Sequence, residues 1–183
     1  MLPADIANAR ASSLEMIELG APLRDVLTHM VRLVEAHAPN DCIAAILLLD
    51  AEGRLRTGAA PSLPDDYNRA VDGLQPSPRL GTCAKAAATG KVVLTPNIAD
   101  DPNWATLKAL PLSRGLVAAW SQPILARDGR VLGTFGTYFR TLREPSDHER
   151  RLVEVLAEIA AVAIEGDRAP SPVFADTAPS PAP

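Results

Sequence analysis

Apolar residues recur at helical spacing near both ends of the chain. Leu23, Val26, Leu27, Met30, Leu33 and Val34 share one face while Arg24, Asp25, Arg32 and Glu35 take the other, which predicts an amphipathic helix with Pro22 in its first turn. A shorter helix is expected over residues 9–19. Towards the other end Leu152, Val155, Leu156, Ile159, Ala160, Ala163 and Ile164 make a second stripe, and Ser146 with Glu149 forms a capping box that starts this helix. Between the helices the pattern shortens. Residues 42–49 are an unbroken apolar run of strand length, Asp50-Ala-Glu-Gly53 is a turn, and residues 54–59 return as an edge strand. Residues 116–125 and 130–140 flank Arg127-Asp-Gly129, whose Asp-Gly step favours a tight hairpin, and are predicted to be the central strands.

An excursion over residues 61–116 separates the two hairpins. It holds a short helix from Pro64 to about residue 71, a loop over 72–81, and a helix over 83–89 with Thr82 as its cap and Gly90 as its stop. A strand over 91–94, a loop over 95–102 and one or two helical turns within 103–110 around Trp104 complete it. Hairpins joined in sequence, with long helices at the ends, argue for an antiparallel sheet and an α+β fold rather than a parallel doubly wound one.

Composition narrows the function. The chain has 183 residues, 47% of them apolar, enough for a single core. A net charge of −4 with dispersed Lys and Arg gives no basic field for phosphates, so nucleic acid is not an expected partner. No apolar run reaches the roughly 18 residues of a membrane span, and the first residues lack the basic start of a secretory signal. A cytoplasmic protein off the membrane is expected, with Cys42 and Cys83 reduced. The expected layout is an N-terminal extension over 1–13, partly helical, one domain over 14–167, and a disordered Pro/Ala/Ser-rich tail over 168–183.

Five ordered blocks carry a family resemblance. They are Gly81-Thr-Cys-Ala-Lys-Ala-Ala-Ala-Thr-Gly-Lys91, Asn97-Ile-Ala-Asp-Asp-Pro102 before Trp104, Trp120-Ser-Gln-Pro-Ile124, Gly129-Arg-Val-Leu-Gly-Thr-Phe135, and the closing helix. Together they resemble the GAF family of ligand-sensing domains in bacterial signalling proteins. The resemblance implies a GAF/PAS-like fold with a central antiparallel sheet of about five to six strands. The N- and C-terminal helices would cover one face, and short helices and loops the other. It implies a small ligand between the sheet and the excursion, with Leu48, Tyr67, Cys83, Trp104, Trp120, Phe135 and Thr137 as pocket walls. It further implies a homodimer through the terminal helices, with Leu152, Val155, Ile159 and Val162 as the seam, and a signalling effector as partner. No effector segment follows residue 167, so a free-standing sensor, or one whose effector lies outside this sequence, is expected.

Cys83 carries the alternative. Free methionine sulfoxide reductases resemble this chain in a Gly-x-Cys-x-x-Ala setting, which implies redox use of Cys83, yet the stretch Pro102-Asn-Trp-Ala-Thr-Leu-Lys108 lacks the second cysteine of that family. At a helix start the thiol is either activated or simply a small core residue. Bilin attachment is not expected, because Ile43 and Ala84 follow the two cysteines where pigment-binding relatives have His. Cyclic-nucleotide binding is not expected either, since the chain has no Asp-Glu step.

His29, His37 and His148 lie on predicted helices without a second ligand at zinc spacing, and are read as surface or helix-end residues. Asp65-Asp66 and Asp100-Asp101, beside prolines, read as turn and cap residues. No catalytic constellation stands out. These residues identify neither the ligand nor a cofactor or metal.

Overall fold

The computed structural model describes residues 2–38 and 40–169. The elements run α1 (Ala4–Glu18), α2 (Leu23–His37), β1 (Cys42–Leu49), β2 (Leu55–Ala59), α3 (Asp65–Val71), α4 (Cys83–Thr89), β3 (Val93–Thr95), α5 (Ala109–Leu112), β4 (Ala118–Leu125), β5 (Val131–Phe139) and α6 (Asp147–Arg168). A 3-10 turn at Pro102–Trp104 precedes α5. The strands make one antiparallel sheet in the order β2-β1-β5-β4-β3. β5 is the middle strand, paired with β1 from Phe139 opposite Cys42 to Gly133 opposite Leu48, and with β4 along its whole length.

Both faces of this sheet are covered, which is why β1, β4 and β5 are apolar nearly throughout. Helices α1, α2 and α6 pack on one face around Met30, Ile46, Trp120, Phe135, Phe139 and Leu156. The excursion, with α3, α4 and α5, covers the other around Tyr67, Ile98, Trp104, Leu116 and Tyr138. Among the described residues no helix is long and apolar enough to cross a membrane.

Ser146 starts α6 as predicted: its hydroxyl accepts from the Glu149 amide, and the Glu149 carboxylate accepts from the Ser146 amide at 2.7 Å. The same carboxylate takes two bonds of 2.8 Å from Arg143, whose guanidinium sits 3.6 Å over the Phe139 ring and donates to Asp41 at 2.7 Å. Asp41 also accepts the amides of Arg140 and Thr141 at 2.9 Å. One cation thus ties the start of β1, the end of β5 and the start of α6.

Burial opposes the charge on Glu149, but Arg143 and Ser146 outweigh it and hold its pKa at about 2. The stabilisation is fully present above the ordinary value of 4.5 and is lost as pH falls from there towards about 2. Arg143→Ala strands two half-buried carboxylates. Its expected cost is about 1–3 kcal/mol, below that of breaking a fully buried pair. Thermal melts at pH 7 and pH 3 check this: the penalty should shrink at pH 3.

Several expectations shift. α1 begins at Ala4 rather than residue 9, because Ile6 and Ala9 are part of the helix-side core. Thr82 does not cap α4: its backbone is already helical (φ −86, ψ −48) and its side chain makes no cap bond, so the turn falls to Gly81 at φ +55. The turns expected within 103–110 split in two, since the Asp101 carboxylate accepts the Asn103 amide and starts the 3-10 turn at Pro102. Leu152, Val155 and Ile159, expected in a dimer seam, are buried within the subunit; Val162 alone of the four is exposed, at 46%. The tail expected to be disordered lies, from residue 170 on, outside the described residues.

Candidate ligand site

Side chains alternate along a strand, so parity decides which residues reach the excursion. On β5, Tyr138 packs among the excursion side chains and Gly136 lies under Cys83, whereas Phe135 and Phe139 join the helix-side core. On β4, Ala119 and Ser121 face the excursion and Ala118 and Trp120 the helices; on β1, Ala45 and Leu47 face the excursion and Ala44, Ile46 and Leu48 the helices.

Of the seven predicted pocket residues, Tyr67, Cys83 and Trp104 therefore come together. They line a cavity of about 30 Å³ with Tyr138, Leu47 and Leu55. The other four are corrected. Leu48, Trp120 and Phe135 pack under the terminal helices, and Thr137, register partner of Trp120, shares their face. These strands are buried on both sides, so no polar alternation marks which face is which. Tyr138 was missed. No signal in the sequence marks it, because β5 carries glycines of both parities, Gly133 and Gly136.

α4 is pressed close to the sheet. The Gly81 amide donates to the Asn103 carbonyl at 2.7 Å, joining the helix entrance to the loop that carries Trp104. Cys83 lies over the Ser121 and Gly136 pair, its Sγ 2.9 Å from Ser121 Oγ. A Cβ on Gly136 would stand 2.6 Å from that sulfur, so any side chain there would force the thiol to turn away. The aromatic wall is edge-to-face: Tyr138 meets Tyr67 at 5.8 Å and Trp104 at 6.3 Å between centroids. The Arg114 guanidinium lies 5.6 Å from the Tyr67 ring centre and pairs with Asp66.

Two polar groups in this wall, the Tyr67 hydroxyl and the Trp104 indole N–H, have no hydrogen-bond partner. Leaving each so costs about 1–3 kcal/mol. The cavity has room for water but not for a metabolite, whose pockets run to roughly 300–1,000 Å³. Anything larger enters only if the excursion moves outward. A wider groove of about 930 Å³ runs elsewhere, between α2, β2 and the start of α3, but it is open to solvent and has no aromatic wall.

Cys83 keeps some accessible surface because it lines the cavity, yet burial pushes its thiol up despite the bond it shares with Ser121. Cys42, in the helix-side core, is pushed up to about 12. Neither environment favours a thiolate. Both thiols are expected to react with Ellman's reagent at pH 7.5 at least about 100-fold more slowly than free cysteine, and fully in denaturant. A fast-reacting thiol in the native protein would contradict this.

Asp100 and Asp101 have the predicted turn and cap roles, while Asp65 and Asp66 lie in the first turn of α3 without a side-chain cap bond. Asp66 Oδ1 accepts the Tyr67 amide, Asp100 accepts from Asn97, and Asp101 accepts from Asn103 and from the Thr95 hydroxyl. His29 meets Ser12. His37 and His148 are surface residues at helix ends as expected, and both converge on Asp5.

A family model for the GAF domain matches residues 20–165, and the chain belongs to the GAF family. The chain is 39% identical over 153 residues to the methyl sulfide methyltransferase-associated sensor of Methanosarcina acetivorans. That alignment takes in 83% of this chain but 15% of the relative's length. Among solved structures, the GAF domain of an Acinetobacter phosphoenolpyruvate-protein phosphotransferase superposes with a TM-score of 0.69 at 16% identity, covering 90% of this chain and 96% of that one. The free methionine-R-sulfoxide reductase of Neisseria meningitidis, solved with its substrate, gives 0.68 at 15% identity, covering 89% and 87%. At these identities the two structures speak for the fold. Family and relative together support a signalling sensor role.

Proposed function

We infer that this chain is the regulatory sensor domain of a cytoplasmic signalling system, taking a small ligand or a redox signal between the sheet and the excursion over residues 61–116. It carries out no chemistry of its own. The observation that carries this is the pair of unpartnered donors, Tyr67 hydroxyl and Trp104 N–H, in an aromatic wall that a ligand with hydrogen-bond acceptors would complete. Because the cavity is nearly closed, binding entails displacement of the excursion, and that displacement is the signal. A homodimer through the terminal helices fits this use, with Leu19 and Val162 as its exposed apolar residues; a monomer by light scattering at micromolar concentration would count against it.

Native mass spectrometry of the protein purified from cells, beside a denatured sample, tests the binding reading. A non-covalent adduct that is lost in Tyr67→Phe supports it. A bare protein that also takes up nothing from a metabolite panel contradicts it.

A second reading, a methionine sulfoxide reductase using Cys83, draws on the fold of the Neisseria enzyme and the place of Cys83 in the cavity wall. Against it, residues 102–108 contain no cysteine, Cys42 lies on the other face of the sheet, and both thiols are raised rather than lowered. Turnover of methionine sulfoxide that disappears in Cys83→Ser would favour the enzyme.

A further inference from the structure

Three helices remote in sequence bring one carboxylate and two imidazoles to a single point on the surface. Asp5 is in the first turn of α1, His37 is the last residue of α2 and His148 is in the first turn of α6. Asp5 Oδ2 is 2.8 Å from His37 Nε2 and 2.7 Å from His148 Nε2, and the three atoms lie within 4.8 Å of one another. The two rings are 5.5 Å apart and tilted by 35°.

His37 is also held from behind, with Nδ1 2.8 Å from the Leu33 carbonyl oxygen. That oxygen only accepts, so Nδ1 carries a hydrogen, and in the neutral ring Nε2 then presents a bare lone pair to a carboxylate oxygen. A proton on Nε2, making the ring an imidazolium, or a metal ion in that proton's place resolves the pairing. An Nδ1–H bond to a backbone carbonyl is one of the ways proteins orient a histidine whose Nε2 ligates a metal.

The geometry points to a divalent-metal site in which Asp5 Oδ2, His37 Nε2 and His148 Nε2 bind one ion of the zinc class, with water in the remaining positions. Two imidazoles select zinc, cobalt, nickel or copper over magnesium and calcium. Bonds of about 2.0–2.2 Å in a tetrahedron place ligand atoms roughly 3.3 Å apart. The oxygen-to-nitrogen distances therefore widen by about half an ångström, a small rotation for exposed side chains. The α2 C-terminus at His37 favours a cation, whereas the α6 N-terminus at His148 opposes one. Glu149, next in sequence to His148, is engaged by Arg143 and Ser146 and supplies no fourth ligand.

The ion would staple the start of α1 to α2 and α6, so that metal supply sets how firmly the terminal helices hold together. The site is on the helix side of the sheet and stands independently of the ligand cavity.

The test uses the full chain without an affinity tag, stripped with EDTA, dialysed and titrated with ZnCl₂ by calorimetry, with CoCl₂ as a spectroscopic probe. One ion per chain at micromolar or tighter Kd is expected, with visible cobalt bands of a nitrogen- and oxygen-ligated site. At 100-fold excess over Kd, Tm should rise by about 5–10 °C. His37→Ala, His148→Ala and Asp5→Asn should each weaken binding by about 100-fold, while His29→Ala leaves it unchanged. Circular dichroism confirms that each variant is folded. Binding no tighter than millimolar, or equal binding by wild type and the folded His37→Ala and His148→Ala variants, overturns the proposal.

Discussion

Replacing Gly133 by alanine is expected to cost about 3 kcal/mol or more, lowering Tm by roughly 6–12 °C in a thermal melt and reducing soluble yield. A Cβ at this position would stand at 2.2 Å from the Leu47 carbonyl oxygen and 3.2 Å from the Leu48 Cα. Those atoms are the backbone of β1, paired residue for residue with β5, and no rotamer change moves them aside. Overpacked cores ordinarily lose about 1–3 kcal/mol, when side chains can yield. Here the middle pair of strands must separate. Gly166 is the internal contrast: it lies in α6 with nothing within 4 Å of its Cβ position, so Gly166→Ala should stabilise by about 0.5–1 kcal/mol. Equal melting of the Gly133→Ala variant and wild type would mean that β1 and β5 approach less closely than the register requires.

Trp120→Ala should destabilise by about 3–5 kcal/mol, the cost of an unfilled cavity where the largest side chain of the helix-side core stood. Trp104→Ala removes a side chain of the same size, also buried, from the opposite face. Their stability losses should be similar and their functional effects opposite. With the protein held below its melting range, Trp120→Ala is expected to retain a bound small molecule in native mass spectrometry, and Trp104→Ala to lose it. Loss in both, or in Trp120→Ala alone, would return the binding site to the helix side.

The elements were legible where a local signal was strong. The apolar run of β1 begins and ends at the predicted residues, and the Ser146 and Glu149 capping box sits where the pattern placed it. The excursion's position over the sheet came with the family resemblance rather than from any local signal. Facing was not legible: β5 is buried at eight successive positions, so it lacks the inside-outside contrast that would have separated Phe135 and Thr137 from Gly136 and Tyr138. Only an anchor from outside the strand, Cys83 resting on Gly136, reveals the parity. The Asp5, His37 and His148 cluster was illegible for another reason. Its members are 32 and 143 residues from Asp5, and no local spacing announces ligands that meet only through helix packing.

The two tryptophans, one on each face of the sheet, make the proposed site directly measurable. In Trp120→Phe the remaining emission comes from Trp104 in the cavity wall, and in Trp104→Phe from Trp120 under the helices. Both variants are titrated with one panel of metabolites, methionine sulfoxide and anionic aromatic compounds included. A ligand of the proposed site shifts the Trp104 emission with a saturable dependence on concentration and leaves the Trp120 emission unchanged. Ligands that perturb only Trp120, or that bind by calorimetry without touching Trp104, would place recognition in the groove or the helix layer and contradict a pocket between the sheet and the excursion.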